Sequence, residues 1–275
     1  MSVCRYVLFV SGLEIGRLDD HPFHRQLLVD LLSGQLGDET LQETVSRITH
    51  IVVAGNSLAE CTRDRGAGTR AKYLARRTEA GTKDAVAALD TWLAELAAGG
   101  VSVDVMPGDY DPSSYALPQQ PLHRCMLPRA TSLSTLRCVT NPHHFTLDGV
   151  DILGTSGQPV ADVLKYTTAS EGSEDHLRVL ERVLVAGHLA PTAPDTLGCT
   201  PLAGTEDPLI LSQCPHVLFT GNAPKYNSKT WRGVHGQTVL LLTVPRFAET
   251  STCVLVSLKT LDCQTFCVDS VFPSL

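Results

Sequence analysis

Ala54-Gly55-Asn56 and Pro107-Gly108-Asp109-Tyr110-Asp111 each close a short apolar run, Ile51 to Ala54 and Val101 to Met106. Ser11-Gly12-Leu13-Glu14 does the same after Tyr6 to Val10, and Gly221-Asn222-Ala223-Pro224 after Val217 to Thr220. A further glycine-marked place, Gly187-His188, follows no such run. Short runs rich in valine and leucine read as strands buried on both faces. In open α/β sheets, ligands bind just beyond such strand ends.

Two-metal hydrolysis of a phosphoester sets a demanding test for these places. Two ions roughly 3.5–4 Å apart must be clamped by hard or imidazole ligands, one of them a bridging carboxylate. The spacing resembles the metallophosphoesterase pattern of Asp-x-His, Gly-Asp, Gly-Asn-His-Asp, Gly-His and Gly-His-x-His. Gly12 stands for the first aspartate and Glu14 for its histidine. Asn56 replaces the bridging aspartate, Tyr110 the histidine of the third motif, and Asn222 and Pro224 the last two histidines. Asparagine is neutral and proline offers no side-chain donor, so the resemblance implies a phosphoesterase frame without binuclear catalysis. Glu14, Asp109 and His188 are the positions that retain a ligand-type side chain. No catalytic residue, metal or cofactor is expected.

Several further stretches narrow the resemblance. Leu117-Pro118-Gln119-Gln120-Pro121-Leu122-His123, Leu153-Gly154-Thr155-Ser156-Gly157-Gln158 and Ala190-Pro191-Thr192-Ala193-Pro194-Asp195-Thr196-Leu197-Gly198-Cys199 are similar to signatures of the small accessory subunits of replicative DNA polymerases, those of DNA polymerase delta above all. Val103 to Gly108 and Gln26 to Asp30 agree, whereas Arg246 to Thr252 carries no such signature. The resemblance implies a non-catalytic scaffold in DNA replication and repair, located in the nucleus. Its implied partners are the cysteine-rich C-terminal region of the polymerase delta catalytic subunit and a further small polymerase subunit. It also implies an oligonucleotide-binding-type barrel ahead of this domain, which the chain lacks, so residues 1–275 read as one inactivated phosphoesterase-like domain.

A chain of 275 residues is long enough for one large core. Its 43% apolar and 19% charged residues fit a globular protein, with residues 167–173 as the expected flexible insertion. No stretch approaches the roughly 20 apolar residues of a membrane span, and the start lacks a cleavable leader, so an intracellular, soluble protein is expected. Nine cysteines without a Cys-x-x-Cys pair point to reduced thiols rather than disulfides or zinc.

A net charge of −7 argues against general coating of nucleic acid. The local exception is Arg63, Arg65, Arg70, Lys72, Arg76 and Arg77 at a helix entrance, offset in part by Asp64 and Glu79. A solvated helical face is the favoured reading, with contact to DNA or an acidic partner the alternative. Asp19-Asp20-His21-Pro22-Phe23-His24 contains a true Asp-x-His, but it falls between the first strand and a helix opening near Phe23, where carboxylates suit the helix start.

Val86, Leu89, Leu93 and Leu96 recur at helical spacing before Gly99-Gly100, and Leu177, Leu180 and Leu184 before Gly187. Thr238 to Val244 and Cys253 to Leu258 read as two late strands of a second sheet. The expected fold is α/β, with two packed mixed sheets flanked by helices, the α-β-β-α sandwich that the resemblance also implies. His188 in that setting reads as satisfying backbone groups rather than binding metal. The competing function is a metal-dependent phosphodiesterase using Glu14, Asp109 and His188, and a weaker third reading is an orphan binding module that kept the fold.

Overall fold

A computed structural model describes residues 4–20, 22–62, 72–167, 175–200 and 207–268, of which 72–80 by their backbone alone. The first sheet has the order β11-β10-β1-β2-β3-β4. Its centre is parallel, with β1 (Tyr6–Val10) beside β2 (Ile48–Ala54), then β3 (Ser102–Met106) and β4 (Leu136–Cys138). The second sheet has the order β5-β6-β7-β9-β8. There β6 (Val150–Thr155), β7 (Val217–Ala223) and β9 (Thr238–Pro245) are parallel, and β5 (His143–Leu147) and β8 (Asn227–Arg232) are antiparallel edges.

Strand alternation explains the layers. Val7 and Phe9 of β1, Val52 of β2 and Met106 of β3 face Ile152, Phe219, Leu242 and Val244 of the other sheet, and all are fully buried. The rings of Phe9 and Phe219 meet across the sheets with centroids 4.9 Å apart. The alternate residues Leu8, Val10, Val53 and Val105 point outward and pack under α1 (Pro22–Leu32) and α3 (Lys72–Ala98) through Leu28, Leu89 and Leu93. On the opposite outer face, Leu218 and Leu241 lie under Val160 of α4 (Gln158–Leu164) and Val179, Leu180 and Val183 of α5 (His176–Ala186). Burying one such side chain stabilises by roughly 1.5–3 kcal/mol, so period-2 strands under period-3.6 helical stripes fix this layering. The mixed α/β sandwich expected from the sequence is therefore observed.

One expectation needs correction. Of the late strands, only β9 joins the second sheet. Its companion β10 (Thr252–Ser257) pairs antiparallel with β1, and β11 (Cys263–Cys267) with β10, extending the first sheet. The short α6 (Phe247–Thr250) after Pro245 carries the chain from one sheet to the other. Gly187 closes α5, as the leucine stripe before it predicts: it sits at φ +67°, with its N–H donating to Leu184 O. Helix α2 (Glu39–Ser46), capped by the Asp38 carboxylate on Leu41 N–H, completes the chain before β2.

Among the described residues, no helix is long and apolar enough to cross a membrane. All nine cysteines are unbridged. Residues 168–173 of the expected flexible insertion lie outside the described residues.

Candidate functional site

The strand ends singled out in the sequence converge where the C-terminal ends of β1, β2 and β3 meet those of β6, β7 and β9. Gly12 N–H donates to Gly55 O at 3.0 Å and Glu14 N–H to Asn56 O at 3.1 Å, which lays the loop after β1 on the loop after β2. Ser11 Oγ accepts from Asn222 N–H at 2.9 Å and donates toward Val244 O and Pro245 O, at 3.1 and 3.0 Å. Asn222 Nδ2 donates to Ser156 O at 2.7 Å and Ala54 O at 3.3 Å. Asn56 Oδ1 accepts Tyr110 N–H at 3.2 Å.

Close backbone approach makes glycine a requirement here. A Cβ on Gly55 would lie 2.4 Å from Ser156 Cβ, and one on Gly108 would lie 2.2 Å from Asn56 N. Asn56 and Asn222 adopt φ of +51° and +56°, the left-handed region that asparagine tolerates better than most side chains.

Asp111 organises the loops after β2 and β3. Its carboxylate is buried and accepts the N–H groups of Leu58 at 2.9 Å, Gly108 at 2.8 Å and Ser57 at 3.2 Å. Burial pushes this carboxyl up, while those N–H groups and that of Asn56 pull against it. A second polar knot involves the signature stretches. Asn141 Nδ2 lies 2.8 Å from Gln119 Oε1 and 2.7 Å from Ser156 Oγ, and Gln119 Nε2 donates to Gly108 O at 3.1 Å. Thr192 and Thr196 both donate to Asp162 Oδ2 at 2.6 Å, fastening the 190–199 loop to α4.

The charged groups at this rim are already engaged. Burial raises the Glu14 carboxyl, which the Arg17 guanidinium, 3.2 Å away, partly offsets. Arg17 also reaches Asp19 at 2.6 Å, and Arg25 pairs with Asp20, so the Asp19-Asp20 stretch is a loop braced by arginines before α1. Tyr110 is half-buried, and burial first, then the charges of Glu60, Asp109 and Glu14, raise its phenol.

Seven of the eight positions named from the sequence, Gly12, Glu14, Asn56, Asp109, Tyr110, Asn222 and Pro224, lie on the loops or strand end of this rim, with Pro224 exposed just past β7. His188 is held elsewhere: its Nδ1 accepts Ala190 N–H at 3.1 Å and its Nε2 lies 3.4 Å from Asp207. It follows a helix end instead of a buried strand, so its geometry differs from that of the other positions. Among the described residues, no three histidine, cysteine or acidic side chains form a group that could hold a metal ion. Ser11, Asp111, Gln119, Asn141 and Ser156 are central to the rim, and the sequence did not single out their roles.

Arg63, Arg65 and Arg70 of the basic cluster lie outside the described residues, and so do the side chains of Lys72, Arg76 and Arg77, whose backbone opens α3.

Residues 7–228 match the family model for the B-type subunits of DNA polymerases alpha and epsilon. The chain is 44% identical over 261 residues to a DNA polymerase delta small subunit of Arabidopsis thaliana, covering 95% of this chain and 57% of that protein. It is 41% identical to the DNA polymerase delta small subunit of Oryza sativa, covering 98% of this chain and 60% of that one. Against DNA polymerase delta subunit 2 of Drosophila melanogaster it is 38% identical, covering 97% and 60%. The chain thus spans less than two thirds of the length of these relatives. A solved archaeal phosphodiesterase superposes with a TM-score of 0.46 at 10% identity, covering 95% of this chain and 98% of that one. The match over residues 7–228 makes this chain a member of the family of B-type subunits of DNA polymerases alpha and epsilon.

Proposed function

We propose that this chain is the phosphoesterase-like part of a non-catalytic accessory subunit of DNA polymerase delta, acting in the nucleus in DNA replication and repair. The observation that carries this reading is the similarity, across at least 95% of the chain, to two proteins named DNA polymerase delta small subunit and one named DNA polymerase delta subunit 2. The donor inventory at the rim supports it. A neutral Asn56 cannot bridge two divalent ions, Gly12 and Pro224 contribute no side-chain ligand, and Glu14 already faces Arg17. Loss of a single supporting partner typically costs about 10–100-fold in metal affinity or activity, so several absent ligands leave no basis for two-metal chemistry.

The proposed partners are the cysteine-rich C-terminal region of the polymerase delta catalytic subunit and a further small subunit. Residues 1–275 are taken as one such domain, without a bound metal or cofactor. Contact with DNA through Arg63, Arg65, Arg70, Lys72, Arg76 and Arg77 is the alternative to reading that cluster as a solvated face. The competing phosphodiesterase would gather a metal between Glu14, Asp109 and His188, and the engagement of His188 with Asp207 speaks against it.

The test is affinity capture of a tagged chain expressed at native level, followed by mass spectrometry. Recovery of a polymerase delta catalytic subunit supports the reading. Repeated absence of any polymerase catalytic subunit, with the tagged chain intact and folded, sinks it.

A further inference from the structure

The two sheets are joined by different means along their length. Their middle is dry and apolar, built from Val7, Phe9, Val52, Ile152, Phe219 and Leu242. At the rim the joint is polar and made of neutral groups. Ser11, at the end of β1 in the first sheet, is bonded through its hydroxyl to Asn222 N–H and to the Val244 and Pro245 carbonyls of the second. Its own carbonyl accepts Phe247 N–H at 2.8 Å, and Gly12 O accepts Ala248 N–H at 2.9 Å. From the second sheet, Asn222 Nδ2 reaches back to Ala54 O at the end of β2.

The geometry fixes how Asn222 is oriented. Its amide nitrogen faces two carbonyl oxygens, Ser156 O and Ala54 O, so exchanging Nδ2 and Oδ1 would set acceptor against acceptor. Oδ1 then points toward Gly12, buried and without a hydrogen-bond partner, and a Cβ on Gly12 would lie 2.8 Å from it. An orphaned buried acceptor costs free energy, so the arrangement persists only because the other bonds of Ser11 and Asn222 outweigh it. Backbone contact reinforces the joint: a Cβ on Gly221 would lie 2.5 Å from Ala54 O.

We propose that Ser11 and Asn222 form a lock that holds the rims of the two sheets together as one unit. Ser11, Asn222 and the backbone around them bond to one another as neutral donors and acceptors can and a cluster of carboxylates cannot. The lock therefore presents the loops after β1, β2 and β3 in one fixed arrangement.

Native-state hydrogen exchange of the whole chain, read by NMR, tests the lock. In the unsubstituted protein, the amides of Asn222, Phe247 and Ala248 should exchange as slowly as those of Phe9 and Phe219. In folded Ser11→Ala and Asn222→Ala variants they should exchange at least about tenfold faster, while amides of Val103 and Val105 are unmoved. The double variant should exchange little faster than either single one, because each substitution opens the same joint between the β1 and β7 ends. Fast rim exchange in the unsubstituted chain overturns the proposal without any variant. So does unaltered rim exchange in the single variants, or a double variant whose acceleration is the product of the two.

Discussion

Asp111 Oδ1 accepts the N–H of Leu58 at 2.9 Å, so a carboxylate on the loop after β3 holds the backbone of the loop after β2. Its other oxygen takes Gly108 N–H and Ser57 N–H. Asp111→Ala leaves several buried N–H groups without acceptors, at about 1–3 kcal/mol for each that water cannot reach. Urea denaturation should show a loss of ~3 kcal/mol or more. A loss below ~1 kcal/mol would mean that Asp111 does not organise these loops.

Toward β4 and β5 the sheet interface also holds a charged cluster. Asp104 of β3, fully buried, meets His50 Nε2 at 2.9 Å and Arg137 Nε at 2.9 Å within its own sheet, and His143 Nε2 of the other sheet at 3.1 Å. Burial alone would raise the Asp104 carboxyl, but hydrogen bonds from His143, His50 and Arg137 hold it well below the usual carboxylate range. An acid with a depressed pKa in the folded state lends stability above its unfolded pKa of about 3.9 and loses it as pH falls toward the folded value. Asp104→Asn should therefore cost ~3 kcal/mol at pH 7, with the gap to the unsubstituted chain closing below about pH 4. Denaturant titrations at pH 7, 5 and 3 measure this, and a gap that stays constant through acid contradicts the assignment.

Gly34 and Gly55 both have positive φ, +75° and +81°, but differ in surroundings. A Cβ on Gly34 meets nothing within 4 Å, whereas one on Gly55 would lie 2.4 Å from Ser156 Cβ and 2.9 Å from Gly108 Cα. Gly34→Ala should cost only the conformational term of about 1–2 kcal/mol. Gly55→Ala should cost several kcal/mol or prevent folding, since backbone on both sides must shift. Equal melting temperatures for the two variants would contradict the close packing of the rim.

How much of this was legible in the sequence depended on what each residue was buried against. The valine- and leucine-rich runs of β1, β2, β3, β7 and β9 announce themselves because both faces are covered. By contrast, β8, Asn227–Arg232, has mostly exposed side chains and a single apolar residue, Trp231, too little to mark a strand. β10 was legible as a strand but not in its sheet, because alternation says that a strand is buried and not which neighbour it pairs with. The positions of Gly12, Asn56 and Asn222 could be read from glycine-marked strand ends. Asp111 could not, since besides Gly108 its partners are backbone N–H groups from a segment 53 and 54 residues away. His188 matched the Gly-His motif by wording, while the leucine stripe running up to Gly187 already marked a helix end, and its Nδ1 accepts a backbone N–H there.

Manganese should leave the chain's melting temperature unchanged at millimolar concentration. A ligand that binds the native state alone raises stability by RT ln(1 + [L]/Kd), so even weak retention at the rim would register. An upward shift accompanied by hydrolysis of a generic phosphodiester would restore the enzymatic reading, and a shift removed by Glu14→Gln would locate the ion at Glu14.

The central claim concerns the partner, and size-exclusion chromatography of this chain co-expressed with the cysteine-rich C-terminal region of a polymerase delta catalytic subunit tests it most directly. The account predicts that the two polypeptides elute together as one stable species of their combined mass. Two folded proteins eluting separately would contradict the claim that this chain suffices to bind the catalytic subunit.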